Sequence, residues 1–105
     1  MVLEHPILLT GGASGVCEAT AKLLLERGHQ VTSLDIKPSS NDGVTHHHCD
    51  LSDTASIDAA VAELPGAFSS LLNVAGVPGA VGGDLTFAVN FLGLRYLTEK
   101  IWDRI

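Results

Sequence analysis

The sequence predicts an α/β fold carried on a mostly parallel sheet, and three observations predict it. Short apolar runs bounded by turn residues alternate with segments of helical period, in the order β-α-β-β-α-β-α. A glycine-rich turn, Thr10-Gly11-Gly12-Ala13-Ser14-Gly15, separates the first apolar run from the first helical segment. Small or polar residues recur where the later runs stop, at Asp35, at Asp50-Leu51 and at Asn73-Val74-Ala75-Gly76.

Each element has its own local cause. Pro6-Ile7-Leu8-Leu9 is continuously apolar, as a strand covered on both faces of a parallel sheet must be. Val16, Ala19, Thr20, Leu23, Leu24 and Arg27 then recur at helical spacing, and Gly28 supplies a C′ residue, so Ser14–Arg27 reads as the first crossover helix. Gln30–Asp35 is a second strand ending on an acid. Lys37 to Gly43 is turn chemistry and reads as a loop before a short strand over Thr45–Cys49. Ser52 or Asp53 caps a helix in which Ile57, Ala60, Val61 and Leu64 share a face, and Pro65-Gly66 stops it. Ser70–Val74 is a fourth strand, and Gly76–Gly83 a flexible loop. Asp84 is the expected N-cap of a last helix running towards Ile105.

That helix is apolar nearly all round, with Leu85, Val89, Phe91, Leu92, Leu97 and Trp102 on different sides. Burial on more than one side is what such a helix requires, so residues 84–105 are expected to pack against a second copy in a homo-oligomer or against a further part of the protein. Right-handed crossovers with the glycine turn at the switch point give the strand order 3-2-1-4. The expectation is a single Rossmann-like domain over residues 1–105, truncated relative to the full doubly wound fold.

Bulk properties exclude several partners. At 105 residues one aliphatic core is possible, since aromatic residues make up only 5%. Twelve carboxylates against six Lys and Arg leave a net charge of −6, which argues against nucleic acid and against an anionic membrane surface. An anionic small molecule stays compatible, because backbone N–H groups can hold phosphates without side-chain cations. Cys17 and Cys49 form neither a CxxC nor a zinc-finger pattern. The amino-terminal residues lack a basic segment followed by an apolar one, and no apolar run reaches the roughly eighteen residues of a spanning helix. A reduced, cytoplasmic setting is expected.

The chemistry-bearing segments converge. Thr10–Gly15, Asp35, Asp50-Leu51 and Asn73–Gly76 all fall at or just beyond the carboxyl ends of strands, the edge along which open α/β sheets bind ligands. Alone, the glycine turn is equally an ordinary strand-to-helix connection; together the four segments favour a dinucleotide. Its pyrophosphate would meet the backbone N–H groups and helix N-terminus around Gly11, Ser14, Gly15 and Val16. Asp35, about twenty residues beyond the turn, stands where an acid accepts the ribose hydroxyls. A carboxylate there repels a 2′-phosphate, so NAD is favoured over NADP, with Lys37 nearby as the opposing consideration.

In these residues the chain resembles the short-chain dehydrogenase/reductase family. Thr10, Gly11 and Gly15 match the glycine pattern, Asp50-Leu51 the adenine-side pair, Asn73-Val74-Ala75-Gly76 the segment after the fourth strand, and Asn90 the helix asparagine. The resemblance runs from about Ile7 to Arg95. It implies that adenine lies near Asp50, that Asn73 stabilises the central strand and approaches the ribose with Ala75 and Gly76, and that Asn90 orders a water beside the catalytic centre. It also implies hydride transfer between a nicotinamide and a small alcohol or ketone.

The departures are specific. Cys17 replaces the third glycine of the turn and is expected to crowd the first helix against the sheet. Tyr96-Leu97-Thr98-Glu99-Lys100 spells the family's Tyr-x-x-x-Lys but follows Asn90 on one helix, with no intervening strand or serine, so it is not expected to be catalytic. The family's Ser, Tyr and Lys therefore lack counterparts, and the chain alone is expected to bind cofactor without turnover. His46-His47-His48-Cys49 is not expected to hold a metal, because alternate strand side chains leave at most His46 and His48 on one face. The competing reading is a free-standing nucleotide-binding or interaction module.

Overall fold

The computed structural model of the chain describes residues 3–11, 15–75 and 82–105. Its centre is a four-stranded parallel sheet in the order β3-β2-β1-β4, as the switch-point argument requires. The strands are β1 (Ile7–Thr10), β2 (Val31–Asp35), β3 (Thr45–His48) and β4 (Ser70–Asn73). Every residue of β1 is buried, because it pairs on both edges and is covered on both faces.

Period-two alternation sends neighbouring side chains to opposite faces. Leu8 and Leu34 join a larger core with Ile57, Phe68, Leu97 and Ile101. Leu9 and Val31 join a smaller one with Ala21 and Leu24. Helix α1 (Gly15–Glu26) covers the smaller core, and α2 (Thr54–Glu63) contributes to the larger. Of the two candidate caps for α2, Asp53 takes the role: its carboxylate accepts the Ala55 N–H at 3.0 Å.

The carboxyl-terminal helix departs from expectation in two ways. It starts from Gly82, whose φ of 113° suits glycine, and Asp84 lies inside the first turn instead of capping it. It is not uniformly α-helical: α3 (Gly83–Phe87) runs into a π-helical segment, Ala88–Gly93, and continues as α4 (Leu94–Ile101). Within this chain it is buried along one stripe. Val89, Gly93, Leu97 and Ile101 face the core, while Phe87 and Phe91 stack on each other at 5.3 Å on the outside and Trp102 is 73% exposed.

A 3-10 turn, Trp102–Arg104, ends the described chain and ties it back to α2. The Arg104 guanidinium donates to the carbonyls of Leu64 at 2.7 Å, Gly66 at 3.0 Å and Val61 at 3.3 Å, the last of which also accepts the Leu64 N–H at 3.2 Å. Among the described strands β4 pairs with β1 alone, so its outer edge is open.

Candidate functional site

The parallel register brings the carboxyl ends of the strands into line. Thr10 of β1 stands beside Leu34 and Asn73, and Asp35 beside His48. Beyond Thr10 the ladder continues one step, with the Gly11 N–H donating to the Leu34 carbonyl at 2.9 Å. Gly11 has a φ of 79°, and a Cβ there would fall 2.9 Å from the Ala75 Cα. Two requirements coincide at this residue: a left-handed backbone and room for the chain leaving β4 to cross directly above it.

Ala75 is held there by the buried Thr10 hydroxyl. Its oxygen accepts the N–H groups of Val74 at 3.0 Å and Ala75 at 3.1 Å and donates to the Leu72 carbonyl at 3.4 Å. The sequence places Thr10 in the glycine pattern without revealing this role. Cys17 fits for a related reason: its Sγ lies 3.1 Å from where a Gly11 Cβ would stand, so the thiol fills space that the glycine leaves open. The expected crowding is taken up at Gly11.

These segments enclose a cleft of about 250 Å³ whose walls include Gly11, Cys17, Asp35, Asp50, Ala75 and Val89. Leu51 and Ile36 line it too. Asp35 and Asp50 make its electrostatics acidic. Asp35 accepts the Lys37 N–H at 3.2 Å. Burial pushes the Cys17 thiol pKa up, and the Asp35 charge pushes it further, which fits an acid close to the glycine turn. Asp50 accepts from the Ser52 hydroxyl at 2.6 Å and the Ser52 N–H at 2.9 Å, and these bonds hold its carboxyl below the usual range. Cys49 is pushed up to about 11 by burial and by Asp50.

Of the residues singled out from sequence, Gly11, Asp35, Asp50, Leu51 and Ala75 meet in this cleft. Ser14 and Gly76 lie outside the described residues. Gly15, with a φ of 59°, opens α1 and borders a separate hollow with Glu18, Lys22 and Asn41, while Val16 is 72% exposed on the first turn. Asn73 and Asn90 do not line the cleft. Both border an apolar groove of about 620 Å³ along α4, where the Asn73 amide donates to the Thr98 hydroxyl at 3.0 Å. Leu34, Ile36, Cys49 and Val89 also line the cleft and were not assigned to it from sequence; each is the chain neighbour of a residue that was singled out, Asp35, Asp50 or Asn90.

The two demoted motifs have structural uses. Tyr96 donates to the Asp58 carboxylate at 2.9 Å, and the Lys100 ammonium sits 3.4 Å from that carboxylate and 5.4 Å above the Tyr96 ring. The pair clips α4 to α2 on the protein surface. His47 lies 3.3 Å from Glu63, and no metal-binding cluster of His, Cys, Asp or Glu occurs among the described residues. Cys17 and Cys49 are both free thiols.

Residues 7–101 match the NAD dependent epimerase/dehydratase family. The chain belongs to that family. It also shows the kinship with short-chain dehydrogenases/reductases that its motifs suggest. A coniferyl-alcohol dehydrogenase of Pseudomonas sp. strain HR199 is 39% identical over 99 residues, covering 94% of this chain and 39% of that protein. The chain thus spans about two-fifths of the length of curated relatives it matches. Among solved structures, a 3-alpha-hydroxysteroid dehydrogenase from Pseudomonas sp. B-0831, complexed with NADH, matches at a TM-score of 0.71 and 30% identity, covering 94% of this chain and 39% of that one. A 3-ketoacyl-(acyl-carrier-protein) reductase from Brucella melitensis, also complexed with NADH, matches at 0.80 and 25% identity over 96% of this chain and 50% of that one.

A nicotinamide dinucleotide is the cofactor class this family member is built for, and its residues fit one. At the carboxyl ends of the strands the Gly11 backbone and the Asp35 carboxylate stand on one cleft, the edge along which open α/β sheets bind ligands. No helix among the described residues is long and apolar enough to cross a membrane.

Proposed function

We propose that this chain is the NAD-binding part of a short-chain oxidoreductase acting on a small alcohol or ketone. The observation that carries the reading is the shared cleft of Gly11 and Asp35, a glycine backbone next to a carboxylate at the carboxyl ends of the strands. Gly11, with Ser14, Gly15 and Val16, would hold the pyrophosphate. Asp35 would accept the adenosine ribose hydroxyls, and Asp50 and Leu51 would border the adenine. Its negative charge disfavours a 2′-phosphate, which supports NAD over NADP. When bound, the nicotinamide supplies hydride chemistry, and the protein orients it.

We propose further that the chain alone does not turn over substrate. The Tyr96 hydroxyl and Lys100 are engaged with Asp58 on the surface, away from the cleft, so they are poorly placed to pass a proton to a carbonyl bound there. Asn73, Ala75 and Gly76 would contact the cofactor, Asn73 at the ribose, and Asn90 would order a water beside the catalytic centre. The exposed apolar residues of the last helix and the open β4 edge support association, either as a homo-oligomer or with further chain. A cytoplasmic setting agrees with two unpaired thiols.

An amide-resolved NMR titration with NADH tests the cleft assignment. Shifts concentrated at Gly11, Cys17, Asp35–Ile36 and Asp50–Leu51 are expected. Shifts confined to the groove between Phe91 and Trp102 would overturn it and favour an interaction module.

A further inference from the structure

Gly93 closes the π-helical segment and is buried. A Cβ built on it lands on the Leu51 carbonyl oxygen, lies 2.9 Å from the Leu51 carbonyl carbon, and lies 3.0 Å from the Ala88 oxygen. Both obstructions are backbone, so no side-chain rotation relieves them. The nearby helix-end glycines are different: at Gly82 and Gly83 a Cβ meets nothing within 4 Å. Gly93 is therefore where the helix is seated on the rest of the fold without a side chain between.

What it is seated on belongs to the cleft. Leu51 is a buried wall residue, and its neighbour Asp50 is fixed by Ser52 and by its own N–H donating to the Ser56 hydroxyl at 2.8 Å. Val89, four residues before Gly93, lines the same cleft from the helix. The π segment thus touches this wall twice, through Val89 beside the cleft and through Gly93 behind it. A π turn closes i→i+5, and the Ala88 carbonyl oxygen, five residues back, accordingly lies close to where a Gly93 Cβ would stand.

We propose that Gly93 is a positioning residue for the nucleotide cleft: its missing side chain lets the helix bear on the Leu51 carbonyl, and that contact sets the spacing between the Asp50–Leu51 wall and Val89. This rests on the nucleotide reading of the cleft. An alanine at 93 must push either the helix or the 50–52 turn away, misplacing the wall on the adenine side while leaving the glycine turn and Asp35 in place.

The test is a titration of the full chain, Gly93→Ala and Gly83→Ala with AMP, NADH and nicotinamide mononucleotide. Gly93→Ala is expected to weaken AMP and NADH by about tenfold and to leave the mononucleotide within about twofold, with Gly83→Ala near the unsubstituted chain for all three. Equal weakening of AMP and the mononucleotide would mark general loosening and overturn the proposal, as would no weakening of AMP. If Gly93→Ala does not fold, hydrogen exchange of the unsubstituted chain decides: AMP should slow exchange over residues 49–53 and 89–93 together, and protection of the first segment alone overturns it. An unsubstituted chain that binds neither AMP nor NADH sinks the cleft reading itself, and this inference with it.

Discussion

The Thr10 hydroxyl accepts the Ala75 N–H at 3.1 Å, joining the end of the central strand to the chain that leaves its neighbour. The same oxygen takes the Val74 N–H, so one buried side chain fixes the floor and roof of the cleft together. Thr10→Val keeps the shape and removes the acceptor from two N–H groups. A loss of about 1–3 kcal/mol in denaturant unfolding is expected, with weaker NADH binding, and Thr10→Ser should recover most of both. Unchanged stability in Thr10→Val would contradict this role.

How much of this was legible beforehand differs from element to element. Ile7–Leu9 is apolar without interruption, and that marks an interior parallel strand, whereas β2 carries Thr32 and Ser33 between its apolar residues and is buried all the same; with the glycine turn as switch point, the strand order followed. The meeting of Gly11, Asp35 and Asp50 on one cleft was legible because each lies at or within two residues of a strand end, and parallel register carries strand ends to one edge. Contacts between distant segments were not. Neither the landing of Gly93 on Leu51 nor the bond between Asn73 and Thr98 has a periodicity or spacing to announce it. In the last helix, α2 and the sheet cover only the stripe of Val89, Leu97 and Ile101, and the other apolar faces, where a second copy or further chain is expected to pack, stay exposed within this chain.

Tyr96 and Lys100 give a prediction of indifference. Tyr96→Phe removes an exposed hydrogen bond to Asp58, which should lower stability by about 1 kcal/mol or less and leave NADH affinity unchanged. Fluorescence titration measures the second quantity. A large fall in NADH binding would place this pair in the site after all.

The cleft thiols make stability depend on alkaline pH. Burial and Asp50 raise Cys49 from an ordinary 9.0 to about 11 in the folded chain, so the folded state holds the proton more tightly than the unfolded one. Its contribution is complete below pH 9 and is lost as pH rises towards 11, and Cys17 acts in the same direction. Denaturation midpoints measured from pH 8 to pH 11 should fall, and Cys49→Ala should flatten the fall. At pH 8 both thiols should react slowly with a disulfide reagent until denaturant is added.

Calorimetric titration of the chain with NADH, beside Asp35→Ala and with NADPH as competitor, tests the central claim most directly. Saturable binding of NADH is expected, with Asp35→Ala weakening it by about tenfold and narrowing its advantage over NADPH. No heat of binding at millimolar NADH, or an Asp35→Ala chain that binds as the unsubstituted one does, would contradict the account.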